Sequence, residues 1–390
     1  MPNPATFPFE RLTAELKDGT SIELAGERLE AALQYSPTSG VPQLLSRLEQ
    51  LQNTEHGVAS PSRSLCVTTG SADALSKAFD ALLDEHSAVL VESPTYSGSL
   101  AYLQPIGCAL VGIECDASGL IPSSLESVLR GWDAAREQRP RPRVLYTIPN
   151  GGNPTGASLP LERKQRLYQI AREFDLLILE DDPYHWLQFA PVRIPSLLSM
   201  DVDGRVLRFD SASKLLSSGL RLGWATGPSP LIERLELHTQ ASNLHSCGLS
   251  QSLVAALLEH MAAGHGGEVH AGFAAHMRGV ASFYESQRDA FMRAADTHLT
   301  GLAEWSVPAC GMFVWLRLFG IADAQRVIME GAKDAKVLLV PGQSFMPCGS
   351  PSAHVRAAFS TASPAQMDEA LARVAKLLTQ ARAESPSGSR

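Results

Sequence analysis

"FDSASKLLSSGLRLGWATGP", residues Phe209–Pro228, is the stretch on which the reading of the chain turns. Lys214 sits among short hydroxyl residues, Arg221 follows between Gly219 and Gly223, and an apolar run closes the stretch. Most lysines are solvated surface charges. This one comes directly after the strand-like run "VLRFD", and in parallel-sheet proteins ligands gather beyond the carboxyl ends of strands. Partial desolvation there lowers an amine's pKa and makes it a nucleophile towards a carbonyl. Ser211, Ser213 and Arg221 bring two hydroxyl donors and a guanidinium fork to an anion. Gly219 and Gly223 let the backbone bend closely around it. A lysine nucleophile beside an anion cradle suits a phosphorylated aldehyde.

Working outward, apolar β-branched runs occur at 64–70, 87–93, 108–114, 143–149, 176–182 and 205–210. Several are separated by segments with helical apolar spacing, at 72–83, 121–133 and 160–174. Continuous apolar strands alternating with helices predict a large, mostly parallel sheet with helices on both faces, an α/β fold. A long helical region is expected over 229–262 and another helix over 271–297. Beyond that the pattern changes to strands at 311–318, 336–342 and 353–360 with helices at 322–334 and 364–381, a smaller α+β domain. The expected division is an N-terminal segment 1–30, a large cofactor-binding domain 31–265, a small domain 270–381 and a disordered tail 382–390.

The bulk numbers narrow the function. The chain has 390 residues, 44% apolar and 19% charged, too long for one compact core and ordinary for a soluble globular protein. With a formal charge of -8 and no long basic stripe, neither nucleic acid nor an anionic membrane is an expected partner. Cys66, Cys108, Cys115, Cys247, Cys310 and Cys348 form no CxxC pair, so no metal and no disulfide framework are expected, and a reducing compartment is favoured. No run approaches the roughly 18–20 apolar residues of a membrane span. The start, "MPNPATFPFERLTAELKDG", lacks an apolar signal core and carries acids, so the cytoplasm is the expected location, or the mitochondrion if a presequence lies upstream.

A lysine-bound phosphorylated aldehyde, pyridoxal 5'-phosphate, makes demands on the rest of the chain. Its pyridine nitrogen is an electron sink only when protonated, which requires a carboxylate. Asp181, at the end of "LLILED", supplies one, and Tyr184 follows. The phenolic oxygen needs donors, and Asn153 in "PNGGNPTG" and Tyr184 offer them. The phosphate wants free N–H groups at a helix start, and "VTTGSADALSKAF" gives a strand, Gly70, Ser71 and then a helix. Tyr96 in "ESPTYSG" follows a strand, where its ring can stack on the pyridine face. Each signal alone is weak; their order along one chain, each after a strand, is not.

With these motifs the chain resembles the class I/II, fold-type I pyridoxal-phosphate-dependent aminotransferases, and within them the kynurenine/2-aminoadipate aminotransferase group. The resemblance runs through "PNPATFPFE", "ALQYSPTSGVPQLLSRLEQLQ", "YTIPNGGNPTGASL", "EDDPYHWLQF", "SMDVDGRVLRFDSASKLLSSGLRLGWATGPSPLIER" and "FSTASPAQMD". It implies that Lys214 holds the cofactor as a Schiff base and moves protons, that Asp181 pairs with the pyridinium and that Asn153 and Tyr184 hold the phenolic oxygen. It implies Tyr96 on the ring face, Ser71, Ser211, Arg221 and the backbone near Ala72 on the phosphate, and Tyr35 reaching the phosphate of the other copy in a homodimer. Arg356, in "HVRAAFS", would grip the substrate α-carboxylate beside Asn153, with Leu244 and Phe313 lining the side-chain pocket. The implied reaction moves an amino group from an aromatic, kynurenine-type or 2-aminoadipate-type amino acid to a 2-oxo acid, 2-oxoglutarate foremost. A β-lyase or decarboxylase of the same fold, or a truncated binding protein without activity, are the alternatives. Two departures stand out: "GSADA" replaces the family's "GSQQG", leaving Ala72 no side-chain donor, and the family has a further N-terminal segment before the point where this chain begins.

Overall fold

The computed structural model describes residues 1–57, 63–332 and 334–384. Its contacts group into two compact units. One comprises Met1–Leu82, Leu177–Trp186 and Pro195–Gly279; the other comprises Leu83–Leu176, Leu187–Ile194 and the chain from Val280 onward.

In the first unit four strands lie in the order Arg63–Thr68, Gly223–Pro228, Val206–Ser211, Leu177–Asp181. Leu177–Asp181 runs parallel to Val206–Ser211, with Asp181 opposite Phe209. Gly223–Pro228 runs antiparallel between its neighbours, so Gly223 faces Ser211 on one side and Thr68 on the other. Every residue of Val206–Ser211 is buried, as expected for a strand covered on both faces. The helix Ser71–Leu82 turns Ala74, Leu75, Ala78 and Phe79 inward at three- and four-residue spacing. Each fully buried Leu or Phe in such a core contributes about 1.5–3 kcal/mol. A hairpin, Arg11–Glu15 paired antiparallel with Ser21–Ala25, buries Ile22 and Leu24 against Leu29, Ala32 and Ala256.

In the second unit Ala88–Ser93 is flanked in parallel by Val144–Thr147 and Ala109–Asp116, with the short Gly119–Leu120 at the end of the order. A separate antiparallel sheet has the order Ala303–Glu304, Phe313–Leu318, His354–Ala358, Val340–Pro341. Its inner face, with Val314, Leu316, Val355 and Ala357, packs with Phe291, Leu299, Leu371 and Leu378 into one core.

The expected strands at 64–70, 87–93, 108–114, 143–149, 176–182, 205–210, 311–318 and 353–360 all form within a few residues of those bounds. Three stretches differ. The helical region at 229–262 is two helices, Ser229–Ser242 and Gly248–Ala263. The first ends because Leu244 adopts a left-handed backbone (φ 68°) and both Asn243 and Leu244 donate their N–H to Thr239 O. The run at 336–342 is strand only at Val340–Pro341: Lys336 is left-handed (φ 54°) and Val337 N–H bonds back to Ala332 O, capping the turn before it. That turn, Ile328–Ala332, continues the short helix Ala324–Val327 as a π-type widening. The final helix runs Pro364–Glu384, past the expected boundary at 381, and the rest of the expected tail lies outside the described residues. No helix among the described residues is long and apolar enough to cross a membrane.

Candidate active site

The first unit gathers most of the expected cofactor-binding residues. Asp181 ends one parallel strand and is 4% exposed; Ser211 ends its neighbour and is also buried. Lys214 lies in the turn that follows, where Leu215 and Leu216 both donate their N–H to Ala212 O. Half-burial pushes the Lys214 amine below its ordinary 10.5, the carboxylate of Asp181 pulls it back up, and the guanidinium of Arg221 pushes it down again. The result is an amine closer to neutrality than a surface lysine, in the field of a buried carboxylate. Tyr184 is buried beyond the end of the Asp181 strand.

Arg221 is held from its own loop. Its backbone is left-handed (φ 49°), and Nη1 donates to Ser218 O at 3.1 Å and to Ser213 Oγ at 3.3 Å. Two glycines make room for it and for the start of the Ser71–Leu82 helix. A Cβ at Gly70 (φ 92°) would lie 2.9 Å from Arg221 Nη2, and one at Gly223 would lie 2.8 Å from Ser71 N. The guanidinium is thus packed against the helix's first turn, whose N–H groups and dipole favour an anion. Ala72 is exposed in that turn and contributes only its backbone. A cation, first-turn amides, two serine hydroxyls, a buried carboxylate and an amine of lowered pKa form a donor set that fits the phosphate, pyridinium and aldehyde of pyridoxal phosphate.

Two residues of this unit stand elsewhere in character. Tyr35 is 58% exposed, edge-on to His245 at 5.9 Å, and lines a cavity of about 360 Å³ with Leu24, Val41 and Ala255. Leu244 is 43% exposed at the break between two helices.

The second unit carries Tyr96, Asn153, Phe313 and Arg356. Arg356 Nη1 donates to Asn153 Oδ1 at 2.7 Å. Its guanidinium lies 4.5 Å over the Phe313 ring and 5.1 Å over the Phe345 ring, two cation–π contacts. The Asn153 turn is pressed against the strand of Phe313: a Cβ at Gly156 (φ 69°) would lie 2.4 Å from Phe313 O, and one at Gly151 (φ 53°) would lie 2.9 Å from Gly311 Cα. Tyr96 is half-buried with its ring over Gly98, where a Cβ would lie 2.4 Å from Tyr96 Cζ. Thr95 N donates to Phe345 O at 2.9 Å, joining the Tyr96 loop to Phe345.

Sequence reasoning passed over Phe345. Its signal was the aromatic in "VPGQSF", placed just after a strand, where a ring can meet an arginine from a neighbouring strand. It also passed over the ionic cluster behind Asp181. Side chains alternate along a strand, so Glu180 and Asp182 leave the face opposite Asp181. They meet Arg208, which is 0% exposed: Nη1 donates to Asp182 Oδ2 at 2.9 Å and lies 3.4 Å from Glu180 Oε2, and Nη2 donates to Asp210 Oδ1 at 2.8 Å. Burial works against the guanidinium's charge, and Asp210, Asp182 and Glu180 outweigh it, so Arg208 stays charged. The alternation in "LEDD" and "LRFD" carried that signal.

Comparison with known proteins places the chain in a family. The family described as Aminotransferase class I and II matches residues 4–374. The kynurenine/alpha-aminoadipate aminotransferase, mitochondrial, of Rattus norvegicus is 46% identical over 388 residues, covering 97% of this chain and 90% of its own. Among solved structures, an alpha-aminoadipate aminotransferase from Thermus thermophilus, complexed with N-(5'-phosphopyridoxyl)-L-leucine, superposes with a TM-score of 0.81 at 31% identity, over 92% of this chain and 86% of its own. The Pyrococcus horikoshii kynurenine aminotransferase superposes with a TM-score of 0.82 at 26% identity, over 91% and 84%. The fold is that of fold-type I enzymes, a large, mostly parallel sheet domain with helices and a smaller domain with an antiparallel sheet. The chain belongs to the class I and II aminotransferases.

Proposed function

We propose that this pyridoxal-phosphate-dependent aminotransferase takes the amino group of an aromatic, kynurenine-type or 2-aminoadipate-type L-amino acid and passes it to a 2-oxo acid, with 2-oxoglutarate as the principal acceptor. The names of the rat, mouse and bovine relatives support that donor class. The observation that carries the chemical reading is Lys214, an amine lowered by burial and kept in the field of Asp181 at the ends of two parallel strands.

The cofactor, when bound, supplies an electron sink that makes the donor's Cα proton acidic. Lys214 Nζ would anchor the cofactor aldehyde and, once freed, take up and return that proton, for which an amine whose pKa burial lowers is better suited than a surface lysine. Asp181 Oδ keeps the pyridine nitrogen protonated by charge pairing in a buried site. Asn153 and Tyr184 would donate to the phenolic oxygen, and Tyr96 would pack against the ring. Ser71, Ser211, Arg221 and the Ala72 N–H hold the phosphate. Arg356 binds the substrate α-carboxylate through its fork, beside Asn153, and Leu244 and Phe313 meet the donor's side chain. A homodimer in which Tyr35 of each copy serves the other's phosphate accounts for an exposed tyrosine on a mostly apolar cavity wall. For location we adopt the mitochondrion over the cytoplasm, since the mammalian relatives' names carry it; cell fractionation tests this.

The test is the variant Lys214→Ala with a donor panel and 2-oxoglutarate. It is expected to lose both the visible absorption of lysine-bound cofactor and all turnover. Retention of both ends the proposal.

A further inference from the structure

The helix start proposed to hold the phosphate carries an acid. Asp73 lies in the first turn of Ser71–Leu82, and its Oδ2 accepts the N–H of Thr69 at 2.9 Å. That bond reaches back over the helix start as the acidic half of a capping box does, and it fixes the loop 69–71. Yet a carboxylate one turn from a phosphate dianion repels it, and the Coulomb term between like charges is strong away from bulk water.

Lys77 answers that charge. It is 3% exposed, a burial rare for lysine. Its Nζ lies 2.9 Å from Asp73 Oδ1 and donates to Asp73 Oδ2 at 3.1 Å, to Thr239 Oγ1 at 2.8 Å and to Asn243 Oδ1 at 3.4 Å. Asn243 in turn donates through Nδ2 to Thr69 Oγ1 at 3.4 Å, and Thr69 Oγ1 lies 3.2 Å from Ser246 Oγ. The ammonium therefore neutralises the acid and ties the loop to the segment joining Ser229–Ser242 and Gly248–Ala263.

Resting on the cofactor reading above, we infer that Lys77 is a positioning residue for the cofactor phosphate: it cancels the charge of Asp73 so that Asp73 shapes the loop 69–71 without repelling the anion. Lys77 acts through Asp73 and Thr69, not by touching the phosphate. The role is electrostatic, so it discriminates between pyridoxal phosphate and pyridoxal, which lacks the anion.

The experiment titrates the apo-protein separately with pyridoxal phosphate and with pyridoxal, following the visible absorption of the Lys214-bound aldehyde. Lys77→Met is expected to weaken pyridoxal phosphate by about tenfold to hundredfold and leave pyridoxal within about threefold of the parent. Lys77→Arg, which keeps the charge, recovers most of the loss. The double variant Asp73→Asn/Lys77→Met recovers it too, because the charge to be cancelled is gone while an amide oxygen still accepts from Thr69. Equal weakening of both ligands in Lys77→Met, or a double variant no better than Lys77→Met, overturns the inference. Should Lys77→Met not fold, Asp73→Asn alone decides: its preference for pyridoxal phosphate over pyridoxal must stay level or rise, and a fall overturns the inference. A parent protein that binds neither aldehyde refutes the cofactor reading instead.

Discussion

The two arginines proposed above as anion ligands are held by different means. Arg221 is held by its own loop, through a left-handed backbone, a carbonyl and a serine hydroxyl, and its guanidinium packs against a helix start. Arg356 is held by other side chains, with an asparagine oxygen at one nitrogen and its guanidinium over the rings of Phe313 and Phe345. Backbone-anchored charge supplies field strength at a fixed place and tolerates some freedom of orientation, which suits a phosphate with three equivalent oxygens. A guanidinium packed over two rings and bonded to an amide oxygen is restricted by side chains, which suits holding a planar fork for a carboxylate. On the proposed function, affinity for the permanent ligand and orientation of the transient one would fall to different kinds of support.

The sharpest way to break this contrast is at Arg356. Arg356→Met is expected to lower kcat/KM for the amino donor by about a thousandfold, the order expected when a paired charge is removed, while cofactor affinity falls by no more than a few-fold through the lost bond to Asn153. Arg356→Lys recovers little, since a point charge does not replace a fork. Arg221→Ala produces the complementary result: cofactor affinity falls by about a hundredfold, excess pyridoxal phosphate restores turnover, and the donor KM is unmoved. If both variants changed the same constant, the division of labour would be wrong. A smaller effect comes from Phe345→Leu, which removes one aromatic face: the donor KM rises by about three- to tenfold, with kcat nearly kept.

The smallest effect concerns pH. Lys214 has a depressed pKa in the folded apo-protein, so between that value and the ordinary 10.5 the unfolded chain binds more protons. Stability of the apo-protein therefore rises with pH across that window. Lys214→Met lacks this dependence, so its thermal-stability advantage over the parent shrinks as pH approaches 10.5. An advantage that grew with pH would mean the amine is not desolvated.

What could be read in advance follows from where each residue sits. Lys214, Asp181, Ser211 and Ser71 come directly after apolar strands or at a helix start, so strand recognition located them in sequence. Lys77 owes its role to partners far along the chain, at Thr239 and Asn243, and no local pattern announces such pairs, whereas Phe345 left only the weak signal of an aromatic after a short strand. The strand Gly223–Pro228 was seen only as an apolar run, since two glycines and a proline dilute its β signature. The hairpin Arg11–Ala25 went unread because its first strand has no fully buried residue and so little hydrophobic alternation to detect.

The missing side chain at Gly156 has a wider reach than a single turn. Because the Asn153 loop touches the carbonyl of Phe313 there, that loop and the Arg356-bearing sheet form one rigid template. On the proposed function, descendants of this scaffold can hardly shift the grip on the backbone end of an amino acid without disturbing the group proposed to steady the cofactor's oxygen. Diversification towards new donors must then be written at the far end of the molecule being held, leaving the near end as shared grammar.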